Sequence, residues 1–271
     1  MRLIGCQLNL IWENKLANYA EADRLLKRHA IAPGSLVALP EMFASGFTMN
    51  VAAAQEATPS LTERFLSEKA RQYGAFFMGG LVSAGPGKKG WNEAVVFDPT
   101  GTLIARYKKI HPFALGKEAE HYAAGHQIAT FDWHGFKAAP FICYDLRFPE
   151  IFRLAARSGV HLFIVIANWP IMRIQHWVTL LQARAIENQA YVLGVNRTGT
   201  DPKLTYSGRS IIVDPHGEIL ADAGETEAII SADASLEAVN EWRSQFPALR
   251  DMHDEFFPKL RHVAGPQINA S

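Results

Sequence analysis

The chain has 271 residues, 48% of them hydrophobic and 20% charged, with 27 Lys and Arg balancing 27 Asp and Glu. That profile excludes disorder, collagen and coiled coil, and a chain of about 300 residues buries roughly 75% of the surface its unfolded form exposes, so a full-sized core is available. A net charge of zero, with no run of five or more Lys/Arg, leaves no field to hold a phosphate polymer, and nucleic acid is not expected as a partner.

The opening MRLIGCQLNLIWEN lacks a long apolar region and a small-residue cleavage site, so cytoplasmic residence is expected. No apolar run reaches the roughly 18 residues that cross a bilayer; LFIVIANWP is interrupted by Asn168 and Pro170, and no membrane partner is expected. Two cysteines, Cys6 and Cys143, are too few for a disulfide framework.

Hydrophobic periodicity alternates between short strand-like runs and longer helical ones. Residues 2–10 read as a strand and 14–27 as a helix whose Leu16, Tyr19, Leu25 and Leu26 share a face. SLVALP follows as a buried strand. Ser60 and Glu63 form a capping-box pattern for a helix over 60–73 that Gly74 stops, and FFMGGLV returns to the sheet. VFDPTGTLIA and IVDPHGEILA are hairpins with turns at 98–101 and 214–217, 116 residues apart, which hints at an internal pseudo-repeat.

GFKAAPFIC is a strand, Pro149 opens the helix PEIFRLAARSG, and VHLFIVIA is another buried strand. A long helix over 174–190, the strand YVLGVNR and a last helix capped by Ser235 and running to 246 complete the pattern. Two sheets stacked on one another with helices outside fit this order, in one domain spanning 1–271 without a linker. The tail, about 248–271, lacks periodicity, and its segment DMHDEFFPKLRHVAG carries aromatics that suit a subunit interface.

Sites in layered α/β folds collect beyond the carboxyl ends of strands. Glu41 follows SLVALP, Cys143 follows AAPFI, and Lys109 lies in ARYKKIHPF after the first hairpin. Each has an ordinary structural reading: Cys143 as a small buried hydrophobe, Lys109 beside Lys108 as part of a solvated face, Glu41 as a paired acid. Cys6 faces into the first strand and is expected to be inert. Glu118, Glu120, His121 and His126 in KEAEHYAAGH lack the spacing of a metal site, and no metal is expected.

Taken together, LPEMFASGF, YKKIHPF and CYDLRFPE, with Glu41, Lys109 and Cys143 separated by 68 and 34 positions, resemble the Glu-Lys-Cys motifs of the nitrilase (carbon-nitrogen hydrolase) superfamily. The likeness runs through ANWP and HWVTLLQARAIENQAYV to SGRSIIVDPHGEIL, nearly the whole chain to about residue 232, and is greatest to bacterial ω-amidases of the YafV type.

The resemblance implies a four-layer αββα sandwich, a homodimer, and no cofactor. It implies Glu41 as general base, Cys143 as nucleophile, Lys109 (with His111 two positions on) as oxyanion partner with the Tyr144 backbone N–H, and Glu118, seven residues before Gly125, as auxiliary acid; Glu120 is the neighbouring alternative. The implied substrate is a small dicarboxylate monoamide such as 2-oxoglutaramate or succinamate. Its free carboxylate needs a cationic clamp, for which Arg147 and Arg173 are candidates, Arg147 competing with an ion pair to Asp145 or Glu150. Phe47, Phe113, Tyr144 and Trp169 are candidate pocket walls. Nitrile or N-carbamoyl hydrolysis could use the same triad, and a Cys-His hydrolase using His111, His121 or His176 is a separate alternative.

Overall fold

Short runs of buried β-branched and aromatic residues, too brief for helices, build two sheets in a computed structural model that describes residues 1–57 and 60–253. The strands are β1 (Arg2–Gln7), β2 (Leu36–Ala38), β3 (Phe76–Ala84), β4 (Gly90–Phe97), β5 (Leu103–Lys108), β6 (Tyr122–Ala123), β7 (Phe131–Trp133), β8 (Phe136–Ile142), β9 (Leu162–Ala167), β10 (Tyr191–Asn196), β11 (Thr198–Thr200), β12 (Thr205–Ser207), β13 (Ile211–Val213), β14 (Ile219–Asp222) and β15 (Ala228–Asp233). The helices are α1 (Lys15–Leu26), α2 (Val51–Ala54), α3 (Leu61–Tyr73), α4 (Glu118–His121), α5 (Pro149–Arg157), α6 (Ile174–Asn188) and α7 (Leu236–Gln245).

The first sheet runs β15-β1-β2-β3-β4-β5, with β6 paired to β4; the second runs β14-β13-β10-β9-β8-β7. Leu3, Leu36, Met78 and Val96 of the first meet Ala138, Ile164, Leu193 and Val195 of the second in one apolar layer. Helices α1 and α3 cover the outer face of the first sheet with Ala22, Leu25, Leu26, Leu66 and Ala70, while Phe152 of α5 and Trp177, Leu181 and Ala185 of α6 cover the second. This is the αββα sandwich the sequence led one to expect, because each sheet needs apolar cover on both faces. The two hairpins are β4-β5 and β13-β14, each closing one edge of one sheet.

Three details differ from the sequence expectation. Strand β1 stops at Gln7, not residue 10, because the chain leaves the sheet: the Thr198 N–H donates to the Leu8 oxygen and Asn9 bridges to Thr198. In α1, Leu16 is 73% exposed, and the inward face is completed by Asn18, whose side chain bonds the N–H and carbonyl of Ile11 and the carbonyl of Ala44. Helix α6 ends at Asn188 because Gln189 turns left-handed, with φ at 46°. The Ser60–Glu63 capping box forms as read, and α7 starts on the Ser235 cap. Of the strip DMHDEFFPKLRHVAG, residues from 254 onward lie outside the described residues.

Candidate active site

Four chain segments deliver the candidate residues to one end of the sheets. Glu41 follows β2, and its loop crosses over Gly80 so closely that a Cβ there would lie 2.4 Å from the Met42 nitrogen; only glycine fits. Lys109 leaves β5 with its N–H on the Asn92 oxygen at 2.9 Å, and the Gly125 N–H donates to the Lys109 oxygen at 2.8 Å. A Cβ on Gly125 would stand 2.2 Å from the Lys108 oxygen, so this glycine lets the loop carrying Glu118 lie against the lysine strand. Cys143 follows β8 at the start of a 3-10 turn, Cys143–Arg147.

Backbone strain collects here. Cys143 itself has φ at 47°, and Met42 and Lys117, the neighbours of Glu41 and Glu118, have φ at 43° and 59°. Left-handed backbone is unfavourable for residues with a Cβ and persists only where the surroundings over-determine it, a pattern that concentrates at functional sites.

Glu41, Lys109 and Glu118 are fully buried, and their charges pair. The Lys109 ammonium donates to Glu41 Oε1 at 2.9 Å and to Glu118 Oε2 at 2.8 Å and Oε1 at 3.1 Å. Asn92 Nδ2 donates to Glu41 Oε1 at 2.8 Å and Glu118 Oε1 at 2.9 Å. The Asn168 N–H reaches Glu41 Oε2 at 2.8 Å, and the Phe113 N–H reaches Glu118 Oε2 at 2.6 Å.

Burial pushes the Glu41 carboxyl up, but the Lys109 ammonium and the amide donors of Asn92 and Asn168 outweigh it and hold the group below the usual carboxylate range. Burial opposes the charge on Lys109; Glu118 and Glu41 overcome this and keep it an ammonium. Burial raises Glu118, with the Lys109 charge working against it and the Glu41 charge adding to it.

The Cys143 sulfur faces the Asn168 carbonyl oxygen at 3.9 Å. Burial raises its thiol well above the usual range; the Glu41 charge adds to that and the Lys109 charge opposes it, so thiol, acid and amine share one field. The other thiol, Cys6, is buried in β1 and pushed up to about 12 by burial alone.

Asp145 ties these segments together. It is fully buried and accepts from the Tyr107 hydroxyl at 2.8 Å, the His111 N–H at 2.9 Å and the Ile142 N–H at 3.1 Å, and its Oδ1 lies 2.9 Å from His111 Nδ1. Tyr107 and His111 flank Lys109, and Ile142 precedes Cys143, so one carboxylate fixes the lysine strand against the cysteine turn. This leaves nothing for Arg147, and the ion pair to Asp145 weighed in the sequence does not form. Arg147 instead lies over the Trp169 ring at 4.8 Å and bonds His176 Nδ1 at 3.2 Å.

Arg173 lies over the Phe113 ring at 5.6 Å. Neither arginine has an ion-pair partner among the described residues, and Arg147, already disfavoured by burial, is held below its usual range by Arg173 as well. Phe113 packs edge-on against Tyr144 with ring centres 5.0 Å apart, and Phe47 lies 5.2 Å from the Lys109 nitrogen; all three rings are half-buried. Trp169 is buried and donates to the Arg173 oxygen at 2.8 Å, so it supports the arginines from below.

The carbon-nitrogen hydrolase family pattern matches residues 5–244. The chain belongs to this family. As a carbon-nitrogen hydrolase it is 39% identical over 258 residues to Omega-amidase YafV of Escherichia coli, covering 94% of this chain and 98% of that one. It is 40% identical over 232 residues to the 2-oxoglutaramate amidase of Paenarthrobacter nicotinovorans, covering 82% and 79%. A solved CN-hydrolase superfamily protein of Xanthomonas campestris, which carries an arsenic adduct in its active site, superposes with a TM-score of 0.86 at 32% identity, covering 93% of this chain and 97% of that one.

In this carbon-nitrogen hydrolase the candidates Glu41, Lys109, Cys143 and Glu118 converge. Glu120 is exposed and, with His121 and His126, lines an outer cavity of about 710 Å³. Sequence reasoning missed Asn92, Asn168 and Asp145. The signal for Asn168 was present, since ANWP breaks an apolar strand with a polar residue, as Glu41 does after SLVALP. Asn92 gave none, because its partners come from three other segments.

Proposed function

We propose that the chain is an ω-amidase that hydrolyses the terminal amide of a small dicarboxylate monoamide, such as 2-oxoglutaramate or succinamate, through a Cys143 thioester. The observation that carries this reading is the buried Lys109 ammonium held between Glu41 and Glu118 in the same field as the Cys143 sulfur.

Glu41 takes the thiol proton as Cys143 attacks the amide carbon. Lys109 has three N–H bonds; one goes to Glu41 and one is shared across Glu118, which leaves one for the developing oxyanion. The Tyr144 N–H, in the first turn of the segment after β8, has no carbonyl a turn behind it and is the second donor. Losing one such donor typically costs about 2.7–4 kcal/mol of transition-state stabilisation. Glu41 then returns the proton to the departing ammonia, and deprotonates the water that cleaves the thioester to thiol and diacid. Glu118 holds the lysine.

The free carboxylate of the substrate is read by Arg147 and Arg173, two neighbouring cations without ion-pair partners among the described residues, with Phe47, Phe113 and Tyr144 around the chain of the substrate and Trp169 beneath Arg147. Two curated relatives carry names for amidases of this substrate class.

We further read the chain as one domain and a cytoplasmic homodimer. Among the described residues no helix is long and apolar enough to cross a membrane. Ile186, Leu220 and Phe246 expose 54%, 44% and 56% of their surface on α6, β14 and the end of α7, apolar surface suited to a second copy. Sedimentation of the purified chain checks the dimer.

Ammonia release across succinamate, 2-oxoglutaramate, uncharged amides, nitriles and N-carbamoyl compounds tests the activity. Turnover of the two carboxylated amides above the rest is expected; equal kcat/KM for succinamate and its uncharged analogue rejects the clamp.

A further inference from the structure

Three of the four oxygens of the two acids are fully occupied, and this decides where a proton can go. Glu118 Oε1 takes Asn92 and Lys109, and Oε2 takes Lys109 and the Phe113 N–H. Glu41 Oε1 takes Asn92 and Lys109. A carboxylate offers about four lone-pair sites, so a proton at any of these oxygens must expel a donor.

Glu41 Oε2 differs. Besides the Asn168 N–H it meets only the Asn168 side-chain nitrogen, at 3.3 Å, and that nitrogen keeps a better acceptor, the Glu41 carbonyl, at 2.8 Å. The same Asn168 residue holds the Cys143 sulfur on its carbonyl oxygen. Oε2 is therefore the oxygen bonded to the residue that also holds the thiol, and its lone pair is the one most easily freed.

We propose that Asn92 is the positioning residue that enforces this asymmetry. Its single amide nitrogen spends one hydrogen on each acid, closing a ring of Lys109, Glu41, Asn92 and Glu118. It adds donors without adding charge, so both Oε1 atoms stay acceptors and the proton taken from Cys143 travels to Glu41 Oε2. The amide orientation follows from the network, because its reverse would set a carbonyl oxygen against two carboxylates. The Asn92 side-chain oxygen, Oδ1, has no hydrogen-bond partner among the described residues, so what the side chain contributes is its donors. The inference rests on reading Glu41 as the base, and it adds a residue that the reaction scheme does not name.

The charged and titratable groups facing Glu41 are Lys109 after β5, Glu118 of α4, Cys143 after β8 and Tyr122 of β6. Removing a donor from a carboxylate disfavours its charged form and raises its pKa. An Asn92 variant therefore loses its base as pH falls through a window where the parent enzyme keeps it.

The test measures kcat and KM for succinamate, and the rate of Cys143 alkylation by iodoacetamide, from pH 8 to pH 5 in the parent enzyme, Asn92→Ala and Asn92→Leu. The variant-to-parent ratio is expected to fall at least about 5-fold from pH 8 to pH 5 in kcat and in alkylation, with KM changed less than about 2-fold; a shift of one pKa unit lowers the charged fraction up to about 10-fold. A ratio that stays flat with pH, whatever its size, overturns the proposal and makes Asn92 a packing residue. Asn92→Leu keeps the shape without donors or charge and reads the shift if Asn92→Ala does not fold. If the parent enzyme leaves succinamate intact, the substrate reading fails while the alkylation arm still decides the role of Asn92.

Discussion

The acid–amine cluster and the arginine pair lie at the same end of the sandwich and follow opposite rules. In the cluster, Glu41, Lys109 and Glu118 are removed from water and paired, with two amides taking up the spare acceptors. At the arginine pair, Arg147 and Arg173 are half-buried, lie against aromatic rings and have no carboxylate among the described residues. An isolated charge taken out of water costs several kcal/mol, so the buried set has to be complete before any substrate arrives. Partly solvated cations tolerate an open valence, and that valence is what an incoming anion fills. On the proposed reading, the contrast separates groups that move protons from groups that select a ligand.

The largest effect should come from breaking the first region chemically. Cys143→Ser and Glu41→Gln are expected to lose activity by on the order of 10⁴-fold or more, with circular dichroism close to that of the parent. A Cys143→Ser protein of unchanged rate would end the thioester route.

Breaking the same region electrostatically should show in stability. Lys109→Met leaves two buried carboxylates facing each other, a loss expected at about 3–5 kcal/mol in denaturant unfolding at pH 7. Without the ammonium both folded-state pKa values rise, so stability is present at low pH and lost as pH climbs through those raised values. The deficit should shrink from pH 7 to pH 5; a deficit that grows on acidification contradicts the pairing.

Asp145→Asn keeps the shape but weakens the acceptor that joins the lysine strand to the cysteine turn. A fall in kcat of about 10- to 100-fold with little change in KM is expected from steady-state kinetics, since misplacement by about 1 Å can cost that much. The arginine pair should respond in the other parameter. Arg173→Met or Arg147→Met is expected to raise KM for succinamate by about 10- to 100-fold, corresponding to a charge-assisted hydrogen bond of about 1.5–3 kcal/mol, and to leave an uncharged amide unaffected. Equal losses on both substrates would make these arginines structural. The smallest change belongs to His176→Ala, at the exposed edge of Arg147, with kcat/KM for succinamate altered by less than about 3-fold.

Much of this was legible before any fold. The capping box at Ser60, the two Asp-Pro-x-Gly hairpins, and Pro149 opening α5 are local chemistry and formed where the sequence put them. Leu16 misled because periodicity records apolarity alone, whereas Asn18 earns its buried place by bonding loop backbone that no apolar side chain could satisfy. Three ordered motifs, through the family they resemble, marked Glu41, Lys109 and Cys143 as candidates. Choosing Glu118 over Glu120 needed α4, which turns the first inward onto Lys109 and leaves the second in solvent.

The order of strands and helices and their caps and turns are written in residue types and short spacings, because each depends on neighbours a few positions away, while the candidate site residues stood out only through a family resemblance of three separated motifs. Which carboxylate oxygen meets which donor, and that Arg147 leaves Asp145 to Tyr107 and His111, depends on groups brought together from distant segments. Those contacts exist only once the two sheets have stacked.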